Sequence, residues 1–350
     1  MVAVPPDPHR LTSASALFDR RLLFLVGKGG VGKTTIATAL ALAGAQRGKK
    51  TLLIEFDGNT RAARLLGLPP LDAPVDVLRQ VSPALFVLST SGQAALEEYL
   101  RLIIPARRLL RVVTESRPYQ YFVAAAPGLK ELLTMGKVWY EERKRDAETQ
   151  QPRWDMLIVD MPATGHSLQY LRMPRAARDT FGVGLVQRES ERILTLLRDP
   201  RKTAVNLVTI PEELPVSETR EAYQQLAEEL GLPLGVLFIN RVHSCPVPAA
   251  ALASAGINPK APAVDRRLAE QVLASAQAEA ALAEAQACYV GQLLQLPLPP
   301  VHVPFYFAEQ FGLPEVEQIA QVIAGPLAGR AQEKGEKGKR RRGEASPRPA

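Results

Sequence analysis

The feature that most constrains this chain is the run GKGGVGKT, which extends from Gly27 to Thr34. It follows the apolar segment Leu22–Val26 and precedes the alanine-rich segment Thr34–Arg47, an order that predicts strand, loop and helix. Its spacing matches the phosphate-binding pattern GxxxxGK[ST] in the context that the pattern requires. Glycines let several backbone amides turn toward one anion, and the helix start adds its positive dipole end. The sequence therefore predicts a phosphate loop that comprises Gly27, Gly29, Gly30, Val31, Gly32, Lys33, Thr34 and Thr35.

The side chains of this loop predict ATP and magnesium as its ligands. The Lys33 ammonium should reach the β- and γ-phosphates, the Thr34 hydroxyl should ligate magnesium, and Thr35 should hydrogen-bond the α-phosphate. Lys28 is a second lysine in the same loop, and like-charge repulsion disfavours it unless an anion is bound. It is either a solvent-facing loop residue or a cation that acts on the nucleotide.

Carboxylates end two of the predicted strands near this loop. Asp57 follows the second strand, and we expect it to orient or activate the attacking water, unless it only caps a turn. Glu55 alternates to the other face of that strand and is a weaker candidate. Asp160 closes the apolar run Met156–Asp160, the Walker B form in which aspartate holds magnesium, usually through water.

The segment Met161–Ser167 follows the Walker B strand and is interpreted as a mobile loop. The backbone amides of Thr164 and Gly165 are candidates for sensing the γ-phosphate, as amides in switch loops do. His166 is interpreted as a structural residue of this loop rather than as a catalytic base.

Asn240 follows another apolar run, Leu234–Ile239, and is a candidate reader of the base. A side-chain amide there can hydrogen-bond both N6 and N7 of adenine. A turn asparagine is the alternative.

The apolar runs predict an α/β fold with a mostly parallel, doubly wound sheet that has helices on both faces. We expect the strands at Leu22–Val26, Thr51–Phe56, Leu85–Leu88, Met156–Asp160, Thr203–Thr209, Gly235–Ile239 and Pro300–Val303. Residues 20–328 are predicted to form the nucleotide-binding domain, with an inserted helical subdomain at about 94–150 and 175–201. A further alanine-rich helix is expected from about Ala263 to Leu294.

Composition narrows the class of protein. The 350 residues contain 46% hydrophobic and 23% charged residues, and no apolar run is long enough to cross a membrane. Residues 1–19 are expected to be flexible and carry no secretory signal. Two distant cysteines, Cys245 and Cys288, form no CxxC motif, which argues against zinc and disulfides and favours a cytoplasmic location.

The net charge of +7 is concentrated at the C-terminus. Residues 330–350 contain eight basic and three acidic residues, which give +5 of the total. We interpret residues 329–350 as a disordered, solvated tail, because they contain no aromatic residue that could stack on bases. Attachment to nucleic acid or to an anionic membrane is the alternative.

Several motifs together resemble the family of arsenite-pump ATPases and tail-anchored-protein targeting ATPases, which carry a deviant Walker A loop with an extra lysine. The resemblance covers about residues 20–328 and suggests a divergent bacterial-type member. Its motifs are the phosphate loop, Asp160–Pro174, Thr209–Glu213, Phe238–Arg241 and Leu298–Gly312.

The resemblance implies a dimer that closes on ATP and moves its helical subdomain with nucleotide state, formed with an identical chain or a close paralogue. It implies that Lys28 reaches the nucleotide of the facing subunit. It also supports Asn240 as the adenine reader and Pro304 with Phe305 as part of the purine pocket.

The sequence departs from the family pattern in three places. The family's first switch reads Asp-Pro-Ala-His-Ser, whereas residues 57–61 here read Asp-Gly-Asn-Thr-Arg. The CxxC zinc clip of the targeting relatives is absent, and two distant cysteines do not suit an arsenite site. The methionine-rich client groove has no counterpart, because Met135 is the only methionine between residues 94 and 145.

Three functions remain open at this point. The first is a dimeric, magnesium-dependent ATPase that converts nucleotide state into movement of its helices. The second is an ATP-gated carrier or targeting module for hydrophobic protein segments. The third is a partition-type ATPase that binds nucleic acid or membrane through its basic tail, a reading that the long helical insertion disfavours.

Overall fold

A computed structural model describes residues 11, 13–56, 60–69, 77–92, 94–95, 98, 116, 128–244 and 262–325. Its strands are β1 (Leu22–Val26), β2 (Thr51–Glu55), β3 (Val77–Ser82), β4 (Leu85–Ser89), β5 (Met156–Asp160), β6 (Thr203–Thr209), β7 (Leu234–Val242) and β8 (Pro300–Pro304). Its helices are α1 (Lys33–Gln46), α2 (Arg61–Leu65), α3 (Leu129–Arg143), α4 (Thr164–Phe181), α5 (Leu185–Arg198), α6 (Glu213–Gln224), α7 (Ala263–Leu293) and α8 (Leu313–Ala324).

The strands form one sheet in the order β3-β4-β2-β5-β1-β6-β7-β8. All neighbouring strands are parallel except β3 and β4, which pair antiparallel. The chain leaves β1 toward β2 on one side and later returns to β6 on the other, so β1 lies where the strand order reverses. In open parallel sheets, ligands bind beyond the carboxyl ends of the strands at such a point. The loop that follows β1 occupies that position.

Helices cover both faces of the sheet, and each face has its own apolar core. On one face, Ile36 and Leu40 of α1 pack with Ile319 of α8 and the 3-10 turn Ala14–Asp19. On the other face, the core is built from α3, α4, α5 and α6, with Trp154 fully buried. Strands with two buried faces read as unbroken apolar runs, which is why the sequence revealed them. The predicted doubly wound α/β fold is confirmed.

The structure contains one strand that the sequence did not reveal. The seven predicted strands are present, whereas β3 (Val77–Ser82) was missed because its residues alternate between half-buried and exposed positions at the sheet edge. Its sequence VLRQVS therefore has no continuous apolar run to signal a buried strand. The alanine-rich helix is found as α7, one residue from its predicted end.

The helices near the predicted subdomain form a connected layer. Helix α4 packs against both α5 and α3, and these three helices cover part of one sheet face. Most of residues 93–127 lie outside the described residues, as do Asp57, Cys245 and the basic tail, so the predictions on them stay predictions. Among the helices of the described ranges, none combines the length and apolar character that a bilayer span requires.

Glu55 connects the end of β2 to the start of α2. Its side chain is fully buried, and its Oε1 accepts a hydrogen bond of 2.8 Å from the backbone N–H of Ala62. Burial raises the pKa of the Glu55 carboxyl to about 7, the amides at the start of α2 oppose this shift, and nearby Asp160 adds to it. The weaker candidate of the second strand is therefore an anchor for α2.

The raised pKa of Glu55 predicts how stability depends on pH. The folded pKa of about 7 exceeds the value of 4.5 for an unperturbed glutamate, so this group favours the folded state at low pH. That contribution is lost as pH rises through about 7. Glu55→Gln keeps the acceptor for Ala62 and should unfold at higher urea concentration than the wild type at pH 8.5, by up to about 3 kcal/mol.

Urea titrations with EDTA at pH 6 and 8.5 measure this effect, with the exposed Glu317→Gln as control. We expect the Glu55→Gln advantage to shrink at pH 6. An advantage that is equal at both pH values would contradict the raised pKa.

Candidate functional site

The phosphate loop lies between β1 and α1, and close packing requires glycine at two of its positions, Gly27 and Gly32. A Cβ on Gly27 would overlap the carbonyl oxygen of Val208 in β6, so a larger residue cannot occupy this position without moving the strand. Gly32 is the N-cap of α1 with φ +93°, a left-handed conformation that favours glycine. The loop therefore presents the free amides at the start of α1 toward one cavity.

Lys33 is buried inside this loop and binds loop carbonyls. Its side-chain Nζ donates hydrogen bonds of 2.9 Å each to the carbonyl oxygens of Gly27 and Lys28. Burial lowers the pKa of the Lys33 ammonium, and the nearby Asp160 carboxylate partly opposes that shift. A lysine in this position offers its charge to an anion held by the loop amides.

Thr34 and Asp160, the two predicted magnesium ligands, are in direct contact. The Thr34 hydroxyl donates a 2.6 Å hydrogen bond to Oδ2 of Asp160. Asp160 is 6% exposed, and its Oδ1 is buried without a hydrogen-bond partner in the described part of the chain. Burial raises the pKa of Asp160 to about 6, although the Thr34 hydrogen bond and Lys33 oppose the shift. An unpartnered carboxylate oxygen beside a hydroxyl fits magnesium, which prefers oxygen ligands.

The segment after Asp160 is more ordered than the sequence predicted. Residues 161–167 were interpreted as a mobile loop, but α4 begins at Thr164, and the N–H groups of His166 and Ser167 donate to the Ala163 carbonyl. The amides of Thr164 and Gly165 stand at the helix start, where backbone N–H groups have no partner within the helix. The Ala163 methyl lies close to Gly29, so this helix start abuts the phosphate loop.

Lys28 forms an ion pair within its own chain. Its Nζ contacts Oε1 of Glu218, which lies on α6, and both side chains are partly exposed. The loop lysine is therefore neither free in solvent nor directed at the phosphate cavity in this state. No local sequence pattern indicates this contact, because 190 residues separate the two partners.

Asn240 is buried under the loop rather than open to the cavity. Its Nδ2 donates a 2.8 Å hydrogen bond to the carbonyl of Val31. On the neighbouring strand, Pro304 ends β8, and Phe305 stacks on His243 with ring centroids 4.6 Å apart. The structure thus brings Asn240 to the phosphate loop and places Phe305 in an adjoining aromatic group, and it leaves the adenine roles as predictions.

A cavity of about 490 Å³ opens above the phosphate loop. Its lining contains Gly30, Gly32, Lys33, Thr34 and Thr35 together with Arg61, Arg64, Leu65, Arg241 and Phe311. The sequence did not single out the three arginines or Phe311 as site residues. A signal was present for Arg61, which stands where the family's first switch has a serine, and for Arg241, which follows Asn240.

Comparison with known proteins identifies ATPases that are similar in sequence to this chain. A family model described as "Anion-transporting ATPase" matches residues 20–188, which contain β1 to β5, the phosphate loop and the start of α4. "ATPase BagA" of Mycobacterium tuberculosis is 36% identical over 231 residues, which cover 65% of this chain and 66% of BagA. "Arsenical pump-driving ATPase" of Escherichia coli is 26% identical over 242 residues, and that of Acidiphilium multivorum is 28% identical over 240.

These alignments differ in how much of each relative they include. The chain spans about two thirds of the length of BagA, and 39% of each of the two arsenical pump-driving ATPases. Each alignment covers 63% or more of this chain. The chain is a divergent member of the anion-transporting ATPase family.

Proposed function

We propose that this chain binds ATP with magnesium and hydrolyses it as a dimer, in the cytoplasm. The contact that supports this proposal most strongly is the Thr34 hydroxyl on the Asp160 carboxylate, at the start of α1. It brings a Walker A hydroxyl and a Walker B carboxylate together beside the buried Lys33 ammonium. A chance motif match on a surface loop would not bring a buried lysine, a buried carboxylate and a threonine hydroxyl together in one site.

The residues of the site divide the work of holding the nucleotide. Loop amides and Lys33 bind the phosphates, and Thr34 with Asp160 would hold magnesium, which neutralises charge on the phosphate oxygens. The amides of Thr164 and Gly165 face the terminal phosphate as proposed sensors. Because α4 begins at these amides and packs against α3 and α5, a shift at its start passes to the helical layer.

Two lysine variants test this division. Lys33→Ala should abolish measurable ATP binding, because it removes the cation inside the loop. Lys28→Ala should keep ATP affinity within a few-fold but lower magnesium-dependent turnover at least about tenfold, if Lys28 acts in trans. Phosphate release and calorimetry measure the two effects, with Lys49→Ala at the far end of α1 as control. Full turnover in Lys28→Ala would contradict the trans role.

The ion pair between Lys28 and Glu218 adds a step to dimer closure. For Lys28 to reach a partner's nucleotide, it must leave Glu218 of its own chain. A partly exposed pair contributes about 1 kcal/mol or less, so the step is inexpensive and reversible. Because each chain of the dimer releases one such pair, Glu218→Gln should strengthen ATP-dependent dimerisation by up to about fivefold for each pair.

Sedimentation velocity across a range of protein concentrations, with magnesium and a slowly hydrolysed ATP analogue, measures this shift. Glu221→Gln, one turn further along α6, is the matched control and should leave the equilibrium unchanged. Weaker dimerisation of Glu218→Gln would show that the carboxylate contributes to the interface and would contradict the proposed release step.

A second candidate function is an ATP-gated carrier for hydrophobic protein segments. It is favoured by an exposed apolar group where α4 meets α5, formed by Phe181, Val183, Leu185 and Val186, of which Val183 is 86% exposed. Such a group at the end of the helix that starts at the switch is placed to respond to nucleotide. The partition-type alternative depends on the basic tail, residues 329–350, which lies outside the described residues.

Fluorescence anisotropy with a labelled apolar helical peptide of about 20 residues tests the carrier function. We expect saturable binding that differs between the ATP-analogue and nucleotide-free states. Val183→Asp should weaken binding, whereas Val264→Asp on exposed α7 should not. Absence of saturable binding in every nucleotide state would exclude this candidate.

A further inference from the structure

The cavity above the phosphate loop carries more positive charge than the phosphate-loop motif accounts for. Arg61, Arg64 and Arg241 line it together with Lys33. Within the described ranges, no carboxylate forms an ion pair with any of these three guanidinium groups. Like charges around one cavity repel each other, and water screens them only partly at short range. The arrangement is stabilised when a polyanion occupies the cavity.

Arg61 lines the cavity together with Lys33 and with Thr34, one of the predicted magnesium ligands. Its positive charge acts on both Lys33 and Asp160, and favours the ionised form of the Asp160 carboxylate. Its backbone is fixed, because Glu55 accepts from the amides at the start of α2 and so holds that helix against the end of β2. Arg61 is exposed and lines the cavity.

Arg241 approaches the same cavity from another strand. It follows Asn240 in β7 and has a left-handed backbone with φ +56°, which is uncommon for a residue other than glycine. The register of β7 against β8 shifts at this point. Its carbonyl accepts a 3.2 Å hydrogen bond from Gln286 of α7, which holds the turn in place. The two arginines thus reach the cavity from different elements, Arg61 from α2 and Arg241 from β7.

We propose that Arg61 is a phosphate-binding residue that contacts the terminal phosphate of a nucleoside triphosphate bound in its own chain. The proposal rests on the proposed ATP-binding function of the same site. Arginine suits this role because its planar fork keeps its charge and donates two parallel hydrogen bonds to phosphate oxygens. The chain then supplies a cation in cis from its first switch, where the family pattern has a serine. Arg241 binds the inner part of the nucleotide, which ADP and ATP share.

The test compares affinities for a slowly hydrolysed ATP analogue and for ADP, both measured by calorimetry on the full chain with magnesium at pH 8. Arg61→Gln should weaken binding of the triphosphate about tenfold and that of ADP less than about threefold. Arg241→Gln should weaken both alike. Arg61→Lys should recover part of the lost triphosphate affinity, because it retains the charge without the fork.

Arg267→Gln on exposed α7, outside the cavity lining, is the matched control and should change neither affinity. The proposal would be overturned if Arg61→Gln left the ratio of the two affinities unchanged, whether neither affinity fell or both fell by the same factor. The wild-type chain separates this result from the proposed function. If it binds neither nucleotide, ATP binding itself fails. If it binds both and Arg61→Gln keeps their ratio, only the role of Arg61 fails.

Discussion

The hydrogen bond between the Thr34 hydroxyl and the Asp160 carboxylate is the contact on which the rest of the site depends. It joins the first turn of α1 to the end of β5, and it closes one side of the phosphate loop. It is also the contact that magnesium would replace, since both oxygens are candidate ligands. A buried carboxylate with one oxygen left unpartnered is costly in a resting protein. Binding of a cation and a triphosphate at this place would remove that cost.

The charges around the loop follow the same logic. Lys33 donates to the loop's own carbonyls, Lys28 pairs with Glu218, and Arg61 and Arg241 reach the cavity without ion pairs in the described residues. The site therefore concentrates positive charge where the proposed nucleotide would bind. The start of α4 lies against the phosphate loop, and α4 packs against α3 and α5.

Local sequence patterns predicted the centre of this site well. The phosphate loop has a fixed spacing, the Walker B strand is an unbroken apolar run that ends in aspartate, and both lie where the pattern requires. The sequence predicts both Thr34 and Asp160 as magnesium ligands, and the structure brings the two side chains into contact. The central strands were equally clear, because burial on both faces leaves continuous apolar segments. Strand β3 was hidden because an edge strand with one exposed face lacks that signature.

Contacts between residues distant in sequence were not predictable in this way. No periodicity connects Lys28 with Glu218, or Asn240 with the Val31 carbonyl, because each pair is formed by the packing of separate elements. The helix start at Thr164 was read as a loop because the preceding Pro162 and the following Gly165 are typical of turns. In the sequence, Arg61 is distinguished only as a departure from the family pattern. Its place in the cavity lining depends on the position of α2, which Glu55 anchors to the end of β2.

The central claim is that buried Lys33, buried Asp160 and the hydroxyl of Thr34 form a site for magnesium and ATP. Isothermal titration of the full chain with ATP, once with magnesium and once with EDTA, tests it most directly. The account predicts saturable binding of one ATP per chain with magnesium and clearly weaker binding with EDTA. No saturable heat of binding with magnesium present, from folded protein, would contradict it.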